Sequence, residues 1–301
     1  MDNSRSASFI PVTINGGHTL RSQVLANKAV TLTEVHQAAI ASQPSSKSPS
    51  LAWLGWILPI AVLGFVELAA HLGWIQARLL PPPSEIAQTL SALVEQGLFV
   101  HIAASVARVF SGYAIGAALA ILFGLFVGLS KHAEAFFEPT FQALRAIPSL
   151  AWVPLLLLWF GIDETPKITL IAIGAFFPIY LGLVSGIRNV DRKLIELGEI
   201  YGLSAPSLAR RIVLPAALPS LFTGLRNGLS LAWMFLVAAE LIAATKGIGY
   251  LLTDGRETSR PDVVLAAIFL LAVFGKLTDG LLKWLETRKL AWSDSLATRT
   301  V

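Results

Sequence analysis

The chain has 301 residues, of which 54% are hydrophobic and 14% charged, with a formal net charge of +4 and a mean hydropathy of +0.67. A soluble domain of that composition would expose more apolar surface than water tolerates, so the balance excludes an ordinary soluble protein and reads as a polytopic membrane protein. The absence of cysteine excludes disulfides, thiolate metal sites and a cysteine nucleophile.

Residues 1–50 lack the apolar core of a signal peptide, and Ser-Gln-Pro-Ser-Ser-Lys-Ser-Pro-Ser at 42–50 has linker composition, so a disordered N-terminal extension is expected. From 51 to 290 the sequence reads as a membrane domain. A span needs roughly 20 apolar residues, and the runs near that length lie at 51–66 (continuing through Glu67), 109–130, 146–162, 168–187, 227–239 inside a longer stretch, and 263–275 continuing past Lys276. About six transmembrane helices follow, in an all-α fold, because long continuous apolar runs lack the alternation of a barrel. Between the first two, Pro81-Pro82-Pro83 breaks the chain. Ser84 and Glu85 can then cap a helix over 84–96 lying along the outer membrane surface, with Ile86, Leu90, Leu93 and Val94 at helical spacing.

Lysine and arginine fix the orientation. Arg5, Arg21, Lys28 and Lys47 precede the first span; Lys131 lies in one loop; Arg188, Arg192, Lys193, Arg210 and Arg211 crowd the 188–214 loop; Lys283, Arg288, Lys289 and Arg299 close the chain. The opposite loops hold only Arg78, Lys167, Lys246, Arg256 and Arg260. Both termini, including the 291–301 tail, and the 188–214 loop are therefore expected in the cytoplasm. The basic pI follows from this asymmetry and implies no nucleic-acid partner.

The 188–214 loop is patterned. Residues 194–201 can form a short helix, Gly202 permits a turn, Ser204 can cap a second helix to Arg211, and Pro215 falls where the next span begins. The spacing of Glu196-Leu197-Gly198, Gly202, Ile212 and Leu214-Pro215 resembles the cytoplasmic coupling motif of bacterial ABC importer permeases: Glu-Ala-Ala, three residues, Gly, nine residues, Ile, one residue, Leu-Pro. The two alanines are replaced by Leu197 and Gly198. The resemblance covers roughly 85–301 and includes Arg108-Val109-Phe110-Ser111-Gly112-Tyr113, the 144–154 segment, Ala239-Glu240-Leu241 and Gly247-Ile248-Gly249-Tyr250. These are similar to the branch that handles sulfonates, taurine and nitrate, and within it the 214–279 segment, with Trp233, Asp262-Val263-Val264 and Gly275-Lys276-Leu277-Thr278-Asp279, most resembles the aliphatic-sulfonate permeases.

The resemblance implies a type I importer permease fold and a homodimeric pore in the inner membrane. It also implies two separate ATP-binding subunits docked on the loop, carrying ATP and Mg, and an extracytoplasmic solute-binding protein. This chain would hold no cofactor and catalyse nothing. In agreement, no G-x-x-x-x-G-K-[ST] phosphate loop occurs: Gly275-Lys276 is followed by Leu277 and has Leu270 at the first glycine position.

Ionisable residues inside spans are costly and usually face a path or a partner. Arg108, Arg145, Arg226 and Glu240 stand there. Two readings are open: arginines line a translocation path and attract an oxyanion, or they snorkel and pair with carboxylates such as Glu240. The histidines show no metal-ligand spacing and no hydrolase signature occurs. An ion-coupled secondary transporter, with Glu67, Glu240 or Asp279 carrying protons, is the alternative. Trp152, Trp159, Phe160 and Phe176-Phe177 read as packing and interfacial anchors. Gly112-x-x-x-Gly116 and Gly124-x-x-x-Gly128 imply close helix packing at a possible subunit interface.

Overall fold

The computed structural model describes residues 54–76 and 78–290; the expected N-terminal extension over 1–50 and the 291–301 tail lie outside them. Packing divides the chain at Ala61. Of the first unit, the described part is the opening of helix α1, Leu54–His71, and the packing that positions the site belongs to the second. Every regular element among the described residues is helical: α2 Pro83–Glu95, α3 Leu98–Leu129, α4 Lys131–Ala146, α5 Val153–Phe160, α6 Glu164–Arg188, α7 Arg192–Ile200, α8 Ala205–Leu208, α9 Leu214–Ala243, α10 Ile248–Glu257 and α11 Pro261–Lys289.

Four of these are long and apolar enough to cross a membrane as continuous helices. They are α3, α6, α9 with its preceding turn, and α11. The expected single span over 146–162 is not one helix. The chain bends by 87° between α4 and the Ser149–Phe160 segment, because Pro148 excludes the helical conformation at Ile147, whose φ of −76° and ψ of 121° are extended. The bent pair still returns the chain across the fold. The α3 and α6 helices run parallel, with Gly112 beside Ile171 and Gly128 beside Ile187, so the segment between them must travel back. The first expected span is α1, of which the described residues cover Leu54–His71.

Helix α2 starts at Pro83 with its ring at the first turn, where a missing N–H costs nothing. The Ser84 side chain does not cap it. Instead the Ser84 backbone N–H donates to Glu67 Oε2 (3.1 Å). Nor does α2 lie only on the surface: Thr89 donates to Asp262 (2.8 Å), and Leu93 is buried with Ile248, Val263 and Ala266.

The central stack is α3–α6–α9, and glycine sets its spacing. A methyl at Gly116 would sit 2.5 Å from the Ala172 carbonyl oxygen. On the other side α6 and α9 run antiparallel, and a Cβ on Gly182 would fall 2.8 Å from the Ser220 carbonyl and 2.9 Å from Gly224 Cα. The Gly112, Gly116, Gly124 and Gly128 face is thus spent within the chain, against α6, rather than at a subunit interface. Sequence reading passed over the second glycine set, Gly182, Gly186, Gly224 and Gly228, which is as close-fitting.

Gly116→Val should destabilise the protein by on the order of 3 kcal/mol, since the clash is with backbone that cannot rotate away. Gly275→Val, where nothing lies within 4 Å, should leave thermal unfolding in detergent unchanged. Equal melting temperatures for the two variants would refute the packing role of Gly116.

Candidate functional site: a docking platform and a buried ion cluster

The chain leaves α6 at Arg188 and re-enters the helix stack at α9, and everything between is built on local hydrogen bonding. Asp191 accepts the Lys193 backbone N–H (2.9 Å) and caps α7. Arg192 and Glu196, one turn apart, pair at 2.9 Å. Helix α7 ends in a Schellman arrangement: Leu203 N–H reaches the Gly198 carbonyl (3.0 Å), Gly202 N–H reaches Glu199 (2.9 Å), and Gly202 takes φ +69°. The reversal brings the next segment over α7 at Gly198, which is buried. There a Cβ would meet the Leu208 Cδ1 methyl and, at 2.7 Å, that of Ile212.

The second segment differs from the expected helix ending at Arg211. Helix α8 gives way at once to a π-turn over Ala209–Val213, which runs without a break into α9. Pro215 supplies no N–H to the preceding turn, and a widened turn accommodates that loss. The platform is therefore continuous with a 38-residue helical segment, Ala205–Ile242. Val213 is buried with Leu183, Ile187 and Ala217, which anchors it to α6.

What the platform displays is apolar. Ile200 is 81% and Tyr201 77% exposed, and Leu194 and Leu197 are exposed beside them. Large apolar side chains clustered on a polar connection mark a protein docking surface. Of the motif residues, Glu196, Leu197 and Gly202 lie on the outside, Gly198 and Ile212 form the internal contact, and Leu214 and Pro215 join the platform to α9.

At the other end of α6 and α9 lies a buried ion cluster. Arg108, 3% exposed, donates from Nε to Glu164 Oε2 (2.5 Å), from Nη2 to Glu164 Oε1 (2.7 Å), and from Nη1 to both Glu240 Oε1 and the Lys246 carbonyl (2.6 Å each). Lys167 joins Glu164 at 3.1 Å. Glu240, 1% exposed, accepts from Ser105 Oγ (2.8 Å) and from the Gly249 backbone N–H (2.7 Å). The Ile248 N–H donates back to Ser105 Oγ (2.8 Å). Gly247, with φ +138°, leaves no room for a Cβ against the Glu240 carboxylate. Arg108 and Glu240, the buried members, face each other and are satisfied by further hydrogen bonds, the condition under which a buried pair is tolerated. Glu164 and Ser105 went unnoticed in the sequence, because a carboxylate at a helix start and a serine in an apolar helix carry no spacing signal.

The remaining sequence candidates separate. Arg226 forks onto Asp279 (2.9 and 3.2 Å) and reaches Glu286 (3.4 Å). Arg145 is exposed and makes no ion pair among the described residues; it borders a small pocket with Glu138, Gln142 and Tyr180. The predicted aromatic anchors, including Trp152, Trp159, Phe160, Phe176 and Phe177, line an apolar cavity of about 460 Å³. No cluster of histidine and carboxylate groups able to hold a metal occurs among the described residues.

A helical chain with several apolar spans and an exposed apolar platform at one end of its central helices has the layout of a membrane subunit. Residues 116–290 match the family model for the inner membrane component of binding-protein-dependent transport systems, and the chain belongs to that family. It is 39% identical over 272 residues, 90% of this chain and 98% of the relative, to the protein of Bacillus subtilis (strain 168) assigned as aliphatic sulfonates transport permease SsuC. With the protein so assigned in Escherichia coli (strain K12) it shares 42% over 251 residues, 82% of this chain and 95% of the relative. The fold is that of an amino acid ABC transporter crystallised with histidines: TM-score 0.53, 16% identity, 66% of this chain and 95% of that one. The chain is an ABC importer permease, a class that works with ATPase subunits and is not itself an enzyme.

Removing one partner from the cluster strands a buried charge. Glu240→Ala should cost about 3–5 kcal/mol, and Asp279→Ala, at a pair about one-third exposed, should cost less. Thermal unfolding in detergent reads both; a smaller loss for Glu240→Ala would contradict the closed cluster.

Proposed function

We propose that this permease imports aliphatic sulfonates across the bacterial inner membrane, as two copies served by two ATPase subunits and an extracytoplasmic binding protein. ATP and Mg belong to the ATPases. Both termini and the platform face the cytoplasm, as the distribution of Lys and Arg favours. The observation that carries this reading is the rigid platform with exposed Leu197, Ile200 and Tyr201 around Gly202, continuous with α9. ATP-driven closure of the motors would draw two such platforms together and tilt the attached helices. The two relatives assigned to sulfonate transport, each matched over 95% or more of its length, support the substrate class.

Within the pore, Arg145 is the arginine we assign to the anion, since its guanidinium is exposed and lacks an ion pair, whereas Arg108, Arg226 and Glu240 are engaged with one another or with neighbouring acids. Arg145→Ala should lower sulfonate uptake about tenfold or more, the scale of a charge-assisted guanidinium contact, without loss of assembly.

Uptake of a radiolabelled alkanesulfonate into proteoliposomes, with the cognate ATPase and binding protein, tests the whole. Uptake requiring ATP and binding protein, and resisting taurine and nitrate, is expected. Uptake sustained by a proton gradient alone would instead establish an ion-coupled carrier using Glu67, Glu240 or Asp279. Gly202→Asp should abolish ATPase association while the subunit remains inserted. Its surroundings are open, so the damage arises from the left-handed φ and a charge at the platform apex rather than from a clash.

A further inference from the structure

We propose that a basic cavity between the α1–α2 connection and the α10–α11 turn binds the head group of an anionic phospholipid of the outer leaflet. This rests on the orientation proposed above. Of the basic residues on the outer loops, Arg78, Lys167, Lys246, Arg256 and Arg260, three converge on one cavity of about 590 Å³: Arg78, Arg256 and Arg260. Arg78 is far from the other two in sequence, so the fold, not local composition, brings them together. Positive charge is scarce on this side of a membrane protein, which makes its concentration at one point informative.

The charge is only partly neutralised. Arg260 donates to Asp262 (2.8 Å). Arg256 approaches Glu257 only to 4.0 Å, with both side chains mostly exposed, a geometry worth little in solvent. Arg78 has no ion pair among the described residues. Ser259 also borders the cavity, and with φ +55° it is the one non-glycine described residue in left-handed conformation. It closes α10 at the position where glycine is usual.

The rest of the wall is apolar: Leu241, Leu252 and Leu265. The cavity opens where α9 ends and α11 begins, at the boundary of two spans. Guanidinium forks match phosphodiester oxygens, and the leucines at the end of α9, on α10 and at the start of α11 match the head-group end of an acyl chain. A small free anion would satisfy the arginines but leave that wall without a partner, so the lipid is the occupant that fits both parts.

Native mass spectrometry of the permease–ATPase complex, titrated with dioleoylphosphatidylglycerol or dioleoylphosphatidylcholine, tests this. Phosphatidylglycerol should bind preferentially. The Arg78→Gln/Arg256→Gln variant should weaken it about thirtyfold, a factor of about five per arginine near an anionic surface. Arg260 is spared because Asp262, its partner, also holds Thr89 of α2. Equal binding of the two lipids, an unchanged affinity in the variant, or displacement of phosphatidylglycerol by millimolar phosphate or alkanesulfonate would overturn the proposal. Orientation is read separately: the chain has no cysteine, so Thr258→Cys supplies one reactive thiol. It should react with an impermeant maleimide added outside whole cells; reaction only after permeabilisation would overturn the orientation, and with it the outer-leaflet source, whatever the lipid affinity.

Discussion

Everything in this fold depends on how closely α3, α6 and α9 approach one another. Within a bilayer, burying leucine against leucine gains little over burying it against lipid, so helix association rests on van der Waals contact between backbones brought near by small residues. Gly112 and Gly116 seat α3 on α6, and Gly182 and Gly224 seat α6 on α9. The middle helix is in consequence the most enclosed of the four continuous spans. The two helices that meet the platform at one end, α6 and α9, are also those that carry Glu164 and Glu240 into the ion cluster at the other. Where Gly182 meets Ser220 and Gly224, backbone lies directly against backbone, so a displacement of the platform would be carried by the two helices together rather than absorbed by side-chain repacking there.

Parts of this were legible in the sequence because they are local. The turn at Gly202 and the short helix before it leave marks at fixed spacing, whereas the Asp191 cap was passed over and the expected second helix is a single turn that widens into a π-turn. Gly198 is a related case. Its small size is visible, but the reason for it, the Leu208 and Ile212 methyls folded back over α7, appears only once the turn at Gly202 is made. The glycine face of α3 was readable and its partner was not, since any helix of the same chain or another copy could fill it. The bend at Ile147–Pro148 was written in the residue before proline and was masked by the apolar run on either side, which satisfies a composition window whether the helix is straight or broken.

Non-local charge was the least legible feature. Arg108 looks equally apt for a path, an interface or a salt bridge until residues 56 and 132 positions away are in place beside it. Its neighbour Ser105 shows why the cluster is complete. One hydroxyl donates to Glu240 and accepts from Ile248, so the loop joining α9 to α10 is bound to the cluster by its backbone. The loop geometry at Gly247 then follows, because any side chain there would occupy the space of the Glu240 carboxylate.

This electrostatic arrangement bears on how an anion could pass. The cluster pairs Arg108 and Lys167 with Glu164 and Glu240, leaving it neutral as a group. Arg226 faces two carboxylates, Asp279 and Glu286. A guanidinium already forked onto a carboxylate offers an approaching sulfonate a competition with a resident anion rather than an attraction, and in a medium of low dielectric that competition is steep. Charges placed this way hold helices together. On the reading proposed above, recruitment of an anion would fall to groups with unspent positive potential, and on α4 Arg145 is so placed, since its neighbour Glu138 is itself drawn towards Arg188 and the Tyr180 hydroxyl.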